Sequence, residues 1–356
     1  MQAVQKKRVT ISDVALAAGV DKSTVSLALR NQSCVKDSTR ARIHKIASQL
    51  NYVPNRLASA LSGAGTQSIG ILLQSLEGQF YTPFFTEFYQ AIEPSRFSLS
   101  VQISFWNRDR QTRILSEFCK SRVEGVIWSA VEADEMEIEA SQQMLTQAQI
   151  PSVMLSGDLS GVVNCMSVGV NTADALRTGA KYLAACGHRR VGILSGAKTP
   201  GMRGVMHQKR VDQAVQIMTE TGFSIHPEDI LTVSDNEYGA VAVAGVLANR
   251  PSDDRATAVF AMDDMLGRGL VAGLCMAGMT PPHPISVLGF DNSPGAEFSN
   301  PPLTTVSLQA NICARHAAER LLRQIRPSQS PPILLHERIP PIIIKRSTCS
   351  YPEFHS

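Results

Sequence analysis

A small all-α headpiece followed by two doubly wound α/β lobes is the fold class that this sequence predicts, and three observations predict it. The first 65 residues carry only helical periodicity, broken at sharp corners. From about Ser68 onward, short apolar runs alternate with amphipathic helical stretches, a rhythm that calls for parallel sheets covered on both faces. That alternation continues for roughly 280 residues, more than one doubly wound unit uses, so two lobes with a cleft between them are expected.

The first helix starts at Thr10, where Asp13 three residues later completes a capping-box-like start. Ile11, Val14, Ala15 and Ala18 then fall on one face. Residues 19–21 make a tight corner: Gly19 supplies the backbone freedom, and Asp21 caps a second helix that turns Val25, Ala28 and Leu29 inward. Small Ala15 and Gly19 let the two helices approach closely. A third helix, about 38–50, adds Ile43, Ile46 and Leu50 to the same core, which makes a small but viable unit. Pro54 interrupts the chain after this unit, and Gly63 and Gly65 interrupt it again. About two helical turns fit between them, too few to be stable alone in water. This segment reads as one that folds on binding, with a plain linker as the alternative.

Beyond it, strands are expected at 68–74, 99–105, 124–130, 190–195, 257–262 and 284–290, and helices at 110–121, 173–186, 208–221, 238–248 and 264–277. The expected domains are a headpiece (1–53), a hinge helix and linker (54–66), a two-lobed domain (67–346) and a short tail (347–356). Ligands in such α/β folds sit beyond the carboxyl ends of the strands.

Two short helices joined by three residues form a helix-turn-helix, whose second helix is free to present Lys22, Ser23, Ser26 and Leu27 to a major groove. Charge agrees. Residues 1–65 hold ten Lys or Arg against three Asp, whereas the remainder holds 24 basic and 28 acidic residues, so the basic character is local. Such a segment binds duplex DNA through phosphate contacts and counterion release.

Other function classes are disfavoured. No apolar run reaches membrane-spanning length and the N-terminus has no signal-peptide core, so a cytoplasmic protein is expected. Seven cysteines without a CxxC pair suit a reducing compartment, and eight scattered histidines offer neither HxH nor HExxH spacing, so no metal or other cofactor is expected. Gly267, Gly269 and Ala272 fit GxGxxA on paper, but they sit inside a helical pattern rather than at a strand-to-helix turn. Asp253 and Asp254 lie in a polar loop. Asp263 and Asp264 end a strand and open a helix, where carboxylates serve either as caps or as ligand contacts facing the cleft. With no GxSxG elbow and no Cys/His nucleophile, no catalytic residue is assigned and an enzyme is not expected.

The strings VTISDVALAAGV, STVSLAL, LNYVPNRLASAL, GHRRVGIL, FAMDD, VLGFDN, PPLTTV and KRST, in this order and spacing, carry a resemblance to the lactose repressor (LacI/GalR) family of bacterial transcription regulators over nearly the whole length. The resemblance implies a helix-turn-helix headpiece, a hinge helix, an effector domain like the periplasmic sugar-binding proteins, and a homodimer on a pseudo-palindromic operator. It implies a repressor controlled by a small polar effector, a sugar above other classes, and paired hinge helices whose Leu61 wedges into the minor groove. The candidate DNA-binding set is Thr10, Lys22, Ser23, Thr24, Ser26 and Leu27 with Asn55, Arg56, Ala58 and Leu61 of the hinge. The candidate effector set is Arg210 and Asp291, with Asp263 and Asp264 as weaker members; a salt bridge between Arg210 and Asp291 is the competing reading.

The chain departs from the family pattern at several places. Leu27 stands where relatives often carry Arg, which shifts base readout toward apolar contact with a thymine methyl. Leu155-Ser156-Gly157, after a strand expected near 153, and Val170-Asn171 replace strings that often frame the effector pocket, and Asp263-Asp264 replaces the usual Asn-Asp. The helix that usually carries RxxGF keeps Arg210 but has Gln213-Ala214. Only ten residues follow Arg346, without a heptad repeat, so a dimer rather than a tetramer is expected. A regulator of the same fold worked by a protein corepressor is the alternative, and a sugar-binding module or enzyme with an appended DNA-binding head is a more distant one.

Overall fold

A computed structural model of the 356-residue chain describes residues 9–29, 31–53, 65–76, 80–130, 135–158, 165–196, 200–234, 236–326 and 335–352. It divides into two units, Met1–Thr66 and Gln67–Ser356. The expected hinge residues Asn55, Arg56, Ala58 and Leu61 lie outside the described residues.

The first unit contains α1 (Ile11–Ala18), α2 (Lys22–Leu29) and α3 (Asp37–Gln49). The Asp13 carboxylate accepts from the Thr10 N–H and hydroxyl, both at 2.8 Å, closing the first turn of α1. Gly19 ends that helix at φ +63°, in the left-handed region that favours glycine, and its chain neighbour Val20 donates back to the Ala15 carbonyl at 3.1 Å. Val14, Ala15, Ala18, Val25, Ala28, Ile43 and Ala47 form the buried core, with Leu29, Ile46 and Leu50 partly buried against it.

The second unit holds two six-stranded sheets. The first, in the order β11-β5-β4-β3-β1-β2, contains β1 (Ser68–Leu73), β2 (Ser98–Ile103), β3 (Gly125–Trp128), β4 (Ser152–Leu155), β5 (Ser167–Gly169) and β11 (His336–Arg338), all parallel. The second, in the order β12-β10-β9-β8-β6-β7, contains β6 (Val191–Ser195), β7 (Ile230–Thr232), β8 (Ala258–Ala261), β9 (Ser286–Asp291), β10 (Thr304–Ser307) and β12 (Ile342–Ile344), of which only β12 is antiparallel to its neighbour.

The strands read as continuous apolar runs because both sheet faces are covered. In β1, Ile69, Ile71 and Leu73 meet α4 (Tyr81–Ile92) and α11 (Ala310–Ile325), while Leu72 meets α5 (Arg108–Lys120) on the other face. In the second lobe, Ile193, Phe260 and Leu288 pack beneath α7 (Thr172–Ala185) and α8 (Met202–Glu220). Leu194, Val259 and Val287 pack beneath α9 (Glu237–Ala248) and α10 (Asp264–Met276). The remaining helix, α6 (Glu135–Gln147), covers the first sheet beside α5. His188 is buried just before β6, with Nδ1 2.9 Å from the Thr257 hydroxyl.

All six expected strands and all five expected helices of this unit are present, with shifted ends. The helix expected from 208 starts six residues earlier, at Met202. The strand expected near 153 is β4, while three helices (α4, α6, α11) and five strands (β5, β7, β10, β11, β12) were not among the expected elements. Four of those strands are three residues long, too short to show a period.

The described part of the tail expected from 347 onward, residues 347–352, is instead built into the second lobe. The fully buried Thr348 donates its hydroxyl to the Val287 carbonyl at 2.6 Å and accepts from the Thr304 N–H at 2.9 Å, while its own carbonyl accepts from the Val287 N–H at 2.7 Å. These bonds satisfy backbone groups at the margin of the sheet, which is why residues with no periodicity are ordered there.

The glycines that mimic a dinucleotide motif serve packing, Gly267 against Leu303 and Gly269 against α9. A Cβ on Gly269 would lie 2.6 Å from the Glu237 carbonyl oxygen and 2.9 Å from the Ala240 Cβ, so α10 and α9 touch backbone to side chain at that point. Gly269→Ala is therefore expected to destabilise the protein by about 1–3 kcal/mol. Gly245→Ala, where a Cβ would meet nothing within 4 Å, is expected to stabilise it by about 0.5–1 kcal/mol. Urea denaturation of the two variants checks both signs; a Gly269→Ala variant as stable as the parent would refute the close contact.

Candidate functional site

The outward face of α2 carries the headpiece candidates. Lys22 and Ser23 are exposed, Thr24, Ser26 and Leu27 are half-buried, and Thr10 is exposed beside the start of α1. Leu27 faces both ways: part of its side chain packs against the headpiece core. The corner at Gly19 lets α2 leave α1 without a longer loop.

The second unit has a cleft of about 320 Å³ between its lobes, within the size range of small-molecule sites. It adjoins a further cavity of about 530 Å³, with which it shares Trp106, Leu155, Ser156, Asp158, Thr172, Met206, His207 and Arg210. The walls come from the carboxyl ends of strands, as α/β topology dictates. Gln74 and Ser75 follow β1, Trp106 follows β2, and residues 155–158 close β4; from the other lobe come Asp263 after β8, Asp291 at the end of β9 and Leu308 after β10.

Arg210 is held in place by its surroundings. Its guanidinium donates to the Met262 carbonyl at 3.2 Å and lies 5.5 Å from the centre of the Phe290 ring. Met262 and Phe290 belong to the neighbouring strand ends, so the sheet itself aims the arginine. Arg203, His207 and Arg210 are spaced i, i+4, i+7 on α8 and line the same cleft. That stripe was missed because the helix was expected to begin only at 208.

Asp291 lines the cleft at φ +103°, followed by Asn292 at φ +58°. Two consecutive non-glycine residues in the left-handed region are strained, and the surroundings hold them. The Asn292 side-chain oxygen accepts from Arg346 at 2.9 Å, and its backbone N–H donates to the Thr305 hydroxyl at 3.3 Å. Asp263 also lines the cleft, and its carboxylate caps α10 by accepting from the Leu266 N–H at 2.7 Å.

Asp264 is the correction. It is fully buried and absent from the cleft wall; its carboxylate accepts from the Ser293 N–H and the Thr305 hydroxyl, each at 2.5 Å. Adjacent residues at a helix start point about 100° apart, so Asp263 faces the cleft and Asp264 the interior. Burial raises the Asp264 carboxyl to about 6, although the bonds from Thr305 and Ser293 pull the other way.

Other cleft residues escaped sequence reasoning. Tyr81 donates its hydroxyl to Gln74 at 2.6 Å, and the Gln74 amide donates in turn to the Ala130 carbonyl. Burial raises the Tyr81 phenol above its ordinary value. Trp106 stands at φ +58° directly after Phe105 at φ +50°, and its buried indole N–H has no protein partner among the described residues. Asp158 accepts from the Thr172 N–H and hydroxyl, both at 3.1 Å, and from the Asn171 amide at 2.5 Å. Of the strings flagged for departing from the family pattern, 155–157 and Val170 line the cleft, whereas Asn171 caps α7 by accepting from the Asp174 N–H at 2.9 Å.

Residues 10–55 match the family described as bacterial regulatory proteins, lacI family, and residues 180–349 match the periplasmic binding protein-like domain. A protein of Vibrio vulnificus strain CMCP6 named HTH-type transcriptional repressor PurR is 29% identical over 322 residues, covering 89% of this chain and 92% of its own length. Among solved structures, a LacI-family transcriptional regulator from Silicibacter pomeroyi is similar with a TM-score of 0.81 and 26% identity, covering 96% of this chain and 99% of its own. The lac repressor dimer bound to operator and the anti-inducer ONPF shares the fold, with a TM-score of 0.79 at 22% identity, covering 97% of this chain and 100% of its own.

Asp264 and His188 act in opposite directions over one pH window. Between about pH 4 and pH 6 the folded protein holds an Asp264 proton that the unfolded chain has released, so this group's contribution to stability falls as pH rises. Burial lowers His188 from 6.5 to about 4, so over the same range the unfolded chain holds a proton that the folded protein lacks, and stability rises with pH. Each effect is on the order of 3 kcal/mol, and in the parent protein they largely cancel. Asp264→Asn is expected to unmask the His188 slope, with stability climbing by on the order of 3 kcal/mol from pH 4 to pH 6.5. Urea denaturation at several pH values checks this; parallel slopes for parent and variant would show that the Asp264 carboxyl is not raised.

Proposed function

This chain belongs to the lacI family of bacterial regulatory proteins, and we propose that it is a homodimeric repressor whose operator affinity is set by a small polar effector, a sugar or sugar derivative, bound in the interlobe cleft. Its relatives are transcriptional regulators rather than enzymes. The observation that carries the effector reading is that Arg210 and Asp291 both line one cleft. The guanidinium presents a planar fork of donors and the carboxylate two acceptor oxygens, a combination suited to neighbouring hydroxyls. Phe80, Tyr81 and Trp106 supply apolar faces beside them, against which the C–H face of a sugar ring packs.

The dimer reading is supported by a second surface. Tyr238 and Phe298 are 88% and 81% exposed and flank a groove of about 470 Å³ on the second lobe, and large apolar side chains grouped in this way mark association sites. Two headpieces related by a two-fold axis then call for a pseudo-palindromic operator. With DNA as its target the protein works in the cytoplasm, a reading supported by seven free cysteines.

Selection of binding sites from a random duplex pool tests the DNA reading and the dimer together. The full-length protein is expected to enrich an inverted repeat, and Leu27→Arg is expected to change the base preferred in each half-site, by roughly 1–3 kcal/mol of discrimination, rather than merely to weaken binding. An unchanged consensus would take Leu27 off the reading face, and a single unrepeated half-site would count against the dimer.

A thermal-shift screen of sugars, sugar phosphates and nucleobases tests the cleft. A true effector at a hundred times its Kd adds about 2.7 kcal/mol of stability. Arg210→Ala is expected to weaken that ligand about 10- to 100-fold, the loss of hydrogen bonds from a charged group, and to spare operator binding in its absence. A variant that keeps the parent response places the ligand elsewhere, and an interface formed only with a partner protein would favour a corepressor.

A further inference from the structure

We infer that Glu124 and Ser98 are positioning residues that clamp the point where the chain enters the two-lobed domain, and that this clamp sets the operator affinity of the full-length protein. The inference rests on the DNA-binding reading above. Gln67 is the first residue of the second unit and stands at φ +47°, a left-handed conformation uncommon for a residue with a Cβ. Both polar groups of its backbone are held. Its N–H donates to the Glu124 Oε1 at 2.6 Å, and its carbonyl accepts from the Ser98 N–H at 2.9 Å and the Ser98 hydroxyl at 3.0 Å.

The Ser98 N–H bond is the first rung of the β1–β2 ladder, but the bonds from the Glu124 carboxylate and the Ser98 hydroxyl lie outside it. Regular pairing of β1 with its neighbours begins at Ser68, whose carbonyl accepts from the Glu124 N–H at 2.8 Å. The Glu124 side chain reaches one residue further back along the chain and continues the pairing where the strand has ended. Its bond to Gln67 is a backbone N–H donating to a carboxyl oxygen at 2.6 Å. Gln67 is itself exposed, so no packing holds it in the left-handed region; the clamp from β2 and from the turn before β3 does.

The location gives the clamp its consequence. Residues 54–66 are the covalent route between the lobes and the headpiece, and Gln67 is where that route is anchored. A rearrangement of the first sheet moves Ser98 and Glu124 together and carries Gln67 with them. Without the clamp Gln67 relaxes to ordinary φ values, the preceding residues leave in many directions, and operator binding has to order them at the cost of affinity.

The test uses the full-length protein, a duplex enriched by that protein from a random pool, and hydrogen exchange at the Gln67 amide. Glu124→Ala is expected to expose the amide to fast exchange and weaken the duplex about tenfold, with the salt dependence unchanged because phosphate contacts are intact. Glu124→Gln keeps an acceptor oxygen and is expected to restore both amide protection and affinity to within about twofold of the parent. A purely structural role for Glu124 would lower the melting temperature without this pattern of rescue. Fast exchange at Gln67 in the parent, or fast exchange in Glu124→Ala with parent affinity, overturns the inference alone. Failure of the parent to enrich any duplex overturns the DNA-binding reading and this inference with it.

Discussion

The polypeptide passes between the two sheets of the larger unit three times, after β5, after β10 and between β11 and β12, and each passage leaves or enters at the carboxyl ends of the strands. Strand ends of one lobe therefore face strand ends of the other, and the cleft is the space left between them. One passage would leave the lobes as beads on a string. Three side by side restrict them to closing and opening about a shared edge, which is the motion that a ligand between lobes is able to bias. A close backbone approach lies at Gly157, where a Cβ would overlap the Val170 carbonyl carbon and the Asn171 nitrogen. The end of β4 thus touches the first passage backbone to backbone, and Asp158 ties the same passage down through Asn171 and Thr172.

Beneath the cleft, a buried carboxylate organises an accessible one. Asp264 gathers the Ser293 amide and the Thr305 hydroxyl, and Thr305 in turn accepts from Asn292, so the segment leaving β9 is fastened directly after Asp291. The strained backbone at Asp291 and Asn292 persists because this network over-determines it. Glycine serves the same architecture on the other side of Asp264. Gly289 admits the carboxylate, since a Cβ there would overlap its Oδ1. Gly269 and Gly273 bring α10 onto α9, next to the groove flanked by Tyr238 and Phe298. The cleft wall, its buried support and the second-lobe surface are thus built on one helix.

Features governed by neighbours in sequence were legible. The headpiece corner depends on a cap three residues into α1, a glycine at its end and a helical period, all within about 20 consecutive residues, and each is where the sequence puts it. The longer strands announced themselves as unbroken apolar runs because both of their faces are buried. Arg210 and Asp291 were also found, through strings that match a known family, and both line the cleft. Strands of three residues such as β5 and β11 left no periodic trace, yet they frame the first sheet's edge and two of the three passages.

By itself the sequence determined the helix-turn-helix, the local basic charge, the α/β rhythm and the family, because hydrogen bonds and hydrophobic periods that span a few residues are written in the order of those residues. Tertiary structure alone decided which of two adjacent aspartates faces the cleft, why Gly267 packs against Leu303 and Gly269 against a neighbouring helix rather than around a dinucleotide, and that residues 347–350 are sewn into the second lobe. It also decided that Trp106, Tyr81 and Arg203 line one cleft. The physical reason is that these roles are set by strand order and chain crossings, which bring together side chains far apart along the chain, and no local pattern records a partner at that distance.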